Sequence, residues 1–267
     1  ISVAQGRLKL HFYCESKAAV LAFSPVAAFA AEEEAAATEV EETGSKYKGN
    51  LGLSIDLVSA NIWRGSYLTG VSLQPGISFD IAGFSVGAWG STDFNYGSDG
   101  YSELDFMVGY SNWGASLLLT DYCWTNGSGE FDYFGNYADN HYLELSIGFD
   151  FGYYFEKVPI CVSASTMLYG ANHKTDGSQA YSTYLEIGYS YPVRNIVDLN
   201  LALGAAVESG GACLYSPNDG FSVVNINVGA SHDFNIKDVC TISVGADVVY
   251  NPASEGIWFA AKAGFSM

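Results

Sequence analysis

"NLGLSIDLVSANIWRG", residues 50–65, alternates apolar with small or polar side chains before ending in Trp63-Arg64-Gly65. Leu51, Leu53, Ile55 and Leu57 fall on one face of an extended chain, and Gly52, Ser54 and Asp56 on the other, the period-two signature of a strand. A solvated face would carry Lys, Glu, Arg and Thr. Here it carries Gly, Ser and an isolated acid, while the apolar face is large and unbroken. That inverts a soluble barrel: grease outside, small polar groups within.

The same pattern recurs in "ELDFMVGY" (103–110), "YLELSIGFD" (142–150), "YSTYLEIGYS" (181–190), "DLNLALGAA" (198–206), "VVNINVGAS" (223–231) and "TISVGADVV" (241–249). It predicts twelve strands, over 50–63, 72–81, 84–94, 101–111, 113–122, 141–151, 158–169, 181–191, 197–207, 221–233, 238–250 and 257–266. Connections at 82–83, 112–114, 152–157, 192–195 and 235–238 are short. Those between them are mostly longer and more polar, as at 125–140, 170–180 and 209–220. The expected fold is all-β, a transmembrane antiparallel up-and-down β-barrel of about 12 strands with short periplasmic turns and longer external loops.

Charge supports the inversion. A lipid-facing Lys or Arg at the bilayer midplane costs roughly 2–4 kcal/mol, and an acid somewhat less. Asp56, Asp80, Asp93, Glu103, Asp105, Glu144, Glu186, Asp198 and Asp247 all share the Gly/Ser parity, as does Lys262. These are the expected pore-lining residues, together with Arg64, placed at the rim and turned towards the acidic interior. Aromatic residues gather at strand ends, where amphipathic rings favour the headgroup level. Trp63, Tyr142, Tyr169, Tyr250 and Trp258 are expected to ring the loop side, with Tyr122 and Trp124; Tyr110, Trp113, Tyr189 and Phe265 are expected to ring the turn side.

The 267 residues carry 11 Lys+Arg against 29 Asp+Glu, a net charge of -18, which excludes the basic footprint of a nucleic-acid binder. Charged residues are only 15% of the chain, too few for an ordinary soluble surface. Residues 1–30 read as a secretory signal: Arg7, Lys9 and Lys17 precede the apolar run "AAVLAFSPVAAFA", which ends in a small-x-small site at Ala28-Phe29-Ala30. Residues 31–48, rich in Ala and Glu, read as a flexible acidic linker. The barrel is expected over 49–267. Cysteine spacing matches no metal motif, and a Cys123–Cys213 disulfide stands beside the alternative of two isolated wall residues.

"SANIWRGSYL" (59–68), Gln74-Pro75 and "GFSVGAWGS" (83–91) together resemble the opening of the TorF family of outer-membrane porins. The matching positions are Ser59, Trp63, Arg64, Gly65, Pro75, Gly83, Phe84, Gly87, Trp89 and Ser91; Asn61 and Tyr67 depart from the family's pattern. The resemblance covers about the first three strands and implies a barrel and a pore, without naming a solute. The strand "IWFAAKAGFSM" (257–267) resembles the C-terminal signal read by the barrel-insertion machinery.

The expected function is an outer-membrane porin-like channel of a Gram-negative bacterium, passing small hydrophilic solutes and preferring cations because acids ring its lumen. Outer-membrane lipid, small solutes or cations, and the insertion machinery are the expected partners; no nucleic acid, cofactor or metal is expected. The main alternative is a closed barrel whose tyrosine-rich loop at 130–140 binds a partner, unless that loop folds in as a gate. An enzyme with a rim Ser/His pair is disfavoured, because His141, His173 and His232 lie in no nucleophile motif such as G-x-S-x-G. A soluble secreted barrel is the remaining rival.

Overall fold

The computed structural model describes residues 49–267 except 96, 98, 126–129, 156, 195 and 237–238; the leader over 1–30 and the linker over 31–48 lie outside the described residues. Twelve antiparallel strands close into one barrel: β1 (Asn50–Val58), β4 (Ser72–Ile81), β5 (Phe84–Thr92), β6 (Ser102–Asn112), β7 (Ala115–Trp124), β8 (His141–Asp150), β9 (Ile160–Gly170), β10 (Thr183–Val193), β11 (Val197–Glu208), β12 (Gly220–Ile236), β13 (Cys240–Asn251) and β14 (Gly256–Ser266). Each pairs with its neighbour in sequence, and β1 closes the ring against β14 from Ser54↔Ser266 to Val58↔Lys262. Closure pairs both edges of each of these twelve strands, the condition for a sheet to sit in hydrocarbon.

The outer wall is apolar strand after strand: Leu51, Leu53, Ile55 and Leu57 on β1, Val86 on β5, Phe106 and Val108 on β6, Ile187 on β10, Leu199, Leu201 and Leu203 on β11 are all exposed. The alternate positions face inward and are mostly Gly, Ser, Asn and acids. Among the described residues no helix is long and apolar enough to cross a membrane; the strands do so instead.

The first strand is shorter than the alternation suggests. It ends at Val58, and residues 61–69 form a separate hairpin of β2 (Asn61–Trp63) and β3 (Ser66–Thr69). The turn between them is Arg64-Gly65, with φ of 50° and 81°. Two successive positive φ values make the tight primed turn that matches strand twist. Ala82-Gly83 (54°, 84°) and Trp113-Gly114 (53°, 75°) are the same device at the opposite end of the barrel.

Two register shifts, between Leu143 and Glu144 on the β8–β9 pair and between Gly204 and Ala205 on the β11–β12 pair, place extra residues at Leu168 and Val224. Bulges at barrel rims re-aim side chains, and Val224 becomes fully buried inside.

Candidate functional site: the lumen and its inward hairpin

The β2–β3 hairpin, rooted between β1 and β4, crosses the lumen at the loop end. Its stem residues Ala60 and Ile62 pack with Val249 and Ala260 and against Trp258. Asn61 Nδ2 donates to Ser91 Oγ at 3.4 Å, and Asn251 Nδ2 donates to the Gly65 carbonyl at 3.0 Å. Gly65 lies so close to the bulge on β12 that a Cβ there would stand 1.9 Å from the Val224 carbonyl oxygen.

Trp63 therefore belongs to the interior and not to a membrane girdle. It is buried among Tyr122, Met167, Tyr184, Ala206, Tyr215 and Val224, with ring centroids 5.7 Å from Tyr122 and 5.4 Å from Tyr215. A ring beside a turn that folds into the barrel finds apolar partners there, which the headgroup layer cannot match. Tyr142 and Trp258 are corrected likewise. Tyr142 stacks on Trp124 at 4.4 Å against the same cluster, and Trp258 stacks on Tyr67 of the hairpin at 6.5 Å. Tyr110, Tyr169, Tyr189, Tyr250 and Phe265 take the outward parity, and Trp113 is exposed in the turn.

Arg64 is not at the rim. Its side chain is 2% exposed and forms a two-pronged ion pair with Glu144, itself 0% exposed. Nη1 donates to Glu144 Oε2, and Nη2 to Oε1 at 2.9 Å. Nη1 also donates to the Tyr215 hydroxyl at 2.7 Å, which in turn donates to Glu144 Oε2 at 2.8 Å. Tyr122 Oη and Ser146 Oγ each donate to Oε1 at 3.1 Å. The guanidinium carbon lies 4.7 Å from the Tyr184 ring centre, 4.8 Å from Trp63 and 5.3 Å from Tyr215. The arrangement combines a charge-assisted fork with cation–π contacts at a buried position.

Tyr215 reaches this point because the β11–β12 loop is tied inward. Its backbone N–H donates to Glu208 Oε1 at 2.5 Å, and Ser182 Oγ donates to Glu208 Oε2. Sequence alternation indicates neither Tyr215 nor Glu208 as part of a site, since one lies in a loop and the other at a strand end. The signal that could have found the hairpin is Arg64-Gly65 itself, an X-Gly pair flanked by alternating runs like the two read correctly as turns.

The inward acids divide by depth. Glu103, Asp105, Glu144 and Glu186 lie in the half nearer the loops; Tyr101 Oη donates to Glu103 Oε2 and Tyr184 Oη to Glu186 Oε2, each at 2.6 Å. Asp56 pairs with Lys262 at 2.9 Å, and Asp247 is buried near the hairpin stem. Asp80 and Asp198 face inward near the turns. Asp93 is the exception: β5 ends at Thr92, and Asp93 caps the following loop, accepting from Asn95 N at 2.9 Å and from Thr69 Oγ1 of the hairpin at 3.0 Å. Burial pushes its carboxyl up, but these bonds and others from the backbone prevail and hold it below the ordinary value.

Residues 131–140, including the short helix α1 (Tyr137–Asn140), neither enter nor gate the lumen. They pack on the outer wall over Asp121, which has the outward parity of Leu117 and Leu119. Tyr137 Oη donates to Asp121 at 2.8 Å; His141 contacts Asp121 through Nδ1 at 3.0 Å and the Tyr133 carbonyl through Nε2 at 2.8 Å. Both ring nitrogens are thus engaged. Cys123, on the same face, is wholly buried; Cys123 and the exposed Cys213 are both free thiols.

A closed barrel with an apolar outer wall and a polar interior is a membrane-spanning β-barrel. No family model matches the chain, and no curated protein matches it. Among solved structures it is similar to the NanC porin (7% identity, TM-score 0.45, covering 82% of this chain and 99% of that one). It is also similar to a Pseudomonas aeruginosa FadL homologue (11%, 0.36, 82% and 74%) and to the β domain of the Bordetella autotransporter BrkA (14%, 0.35, 82% and 98%). Likeness this distant says nothing of what the chain transports or binds.

Proposed function

We propose that this chain is an outer-membrane channel of a Gram-negative bacterium, passing small hydrophilic solutes, preferring cations, and closed at its loop end by the β2–β3 hairpin. The observation that carries this reading is the lining below the hairpin. Small residues such as Gly52, Ser54, Gly87, Ser163, Gly188 and Ser243 leave space, and a Cβ at Gly188 would meet nothing within 4 Å. Acids face that space, while Arg64 and Lys262 are each tied to a carboxylate. An acidic interior favours cations. The resemblance of residues 59–91 to the TorF porins supports the same reading.

The test is single-channel recording in planar bilayers under a KCl gradient, with the native chain and Arg64→Ala. Small or rare openings that become larger and cation-selective in the variant support the channel; anion selectivity overturns the acidic-lumen reading. A second reading, a closed barrel that binds a partner through its loops, is favoured by how tightly the hairpin is packed and by Phe134, 95% exposed on the segment over the outer wall. It is supported if the folded Arg64→Ala barrel stays silent.

A further inference from the structure

We infer that the pocket around Glu144 is a recognition site for guanidinium-bearing solutes, which Arg64 occupies as a tethered ligand. The inference rests on the channel reading for its physiological use, but not for its chemistry.

The walls of the pocket do not depend on the hairpin. Glu144 stands on β8, with Tyr122 on β7, Ser146 on β8 and Tyr184 on β10. Tyr122 and Ser146 donate to Oε1 from fixed strand positions, and Ser146 is itself tied to Ser165 at 2.7 Å. With Arg64 removed, the carboxylate keeps these two donors but loses the cation it is paired with. Tyr184 from the wall and Tyr215 from the loop still offer ring faces. A planar cation with two parallel N–H groups fits a carboxylate edge; an ammonium meets it as a point charge and forgoes the fork.

The third nitrogen sets how broad the recognition is. Arg64 Nε is buried without a hydrogen-bond partner. The pocket therefore reads the Nη1/Nη2 edge and leaves the substituted nitrogen unread, which suits alkylguanidinium compounds of varied tails. A channel that prefers cations would in this way select one class among them, and the hairpin would yield to a solute presenting the same group.

The experiment is rescue of Arg64→Ala by methylguanidinium, read as the melting temperature of the full chain folded in detergent micelles. Methylguanidinium is expected to restore the lost melting temperature saturably, at about tenfold lower concentration than methylammonium. It should do so neither in Arg64→Ala/Glu144→Gln nor in the native chain. Equal responses to the two cations, no response, or a response that survives Glu144→Gln overturns the site. If Arg64→Ala does not fold, Arg64→Gly, which also empties the pocket and adopts the φ of 50° freely, is read in the same way. Bilayer recordings separate the two readings. A conducting Arg64→Ala barrel indifferent to methylguanidinium removes the site and leaves the channel. A silent barrel that is still stabilised removes the channel and leaves the site.

Discussion

Arg64 and Glu144, 80 residues apart in sequence, form a two-pronged ion pair inside the barrel. Removing one partner strands a buried charge, at a cost of about 3–5 kcal/mol, whereas apolar replacement of both is often near neutral. Arg64→Ala and Glu144→Gln are each expected to lose stability on that scale in urea titrations of the folded barrel. Arg64→Met/Glu144→Leu should lose markedly less than either.

Gly65 seats the hairpin tip. Gly65→Ala adds a methyl 1.9 Å from the Val224 carbonyl at φ +81°, so the tip must lift. The expected outcome is a higher open probability in bilayer recordings with the barrel intact. Gly177→Ala is the control: its φ is +83°, but nothing lies within 4 Å, so it carries only the backbone cost of about 1 kcal/mol and leaves conductance unchanged.

Parity along β10 can be tested with adjacent arginines. Ile187 faces outward and is 52% exposed, while Gly188 takes the inward parity and a Cβ there would meet nothing within 4 Å. Ile187→Arg is expected to cost about 2–4 kcal/mol in lipid. Gly188→Arg should fold normally and shift the reversal potential towards anions.

Labelling of intact cells reports orientation. Cys213 is exposed in the β11–β12 loop, and Cys123 is buried on the wall. A membrane-impermeant maleimide should modify Cys213 alone of the two, and loss of labelling in Cys213→Ser confirms the assignment. Labelling at Cys123 would mean that the segment over Asp121 and His141 does not cover it.

The Asp93–Thr69 clasp carries a pH dependence. The folded carboxyl lies below its ordinary value of 3.8, so its contribution is present above that value and is lost as pH falls through the folded pKa. Openings should become more frequent in that acid range, and Asp93→Asn should flatten the part of the response due to the clasp.

Much of this molecule is legible from alternation, because an apolar outer wall and a polar interior sort most strand residues by parity. Leu51, Leu53, Ile55 and Leu57 against Gly52, Ser54 and Asp56 require no tertiary information. The hairpin shows where that reasoning stops. Ile62 and Trp63 continue the apolar character of β1, and only the positive φ values at Arg64 and Gly65 reveal that the chain has turned inward. Alternation puts Trp63 at a strand end, where amphipathic rings favour the headgroup layer, and so assigns it to the girdle. Its partners, Tyr122, Met167 and Tyr215, come from other strands and a loop that no local pattern connects to residue 63. Asp121 breaks the sorting in the opposite sense: an outward acid is tolerable only because residues 133–141 cover it, a long-range compensation.

The pairing of β1 with β14 has a consequence for biogenesis. Among the described strands β14 follows all the others along the chain, yet β1 pairs with it: Leu53 exchanges backbone bonds with Met267, and Ser54 through Val58 lie against Ser266 through Lys262. Until that ladder forms, the sheet has two raw edges flanked by an apolar wall, a template for mispairing with other chains. A product clipped anywhere before Gly256 keeps those edges permanently. Residues 256–266 thus decide closure: without them, the edges that β1 and β13 present to β14 stay unpaired.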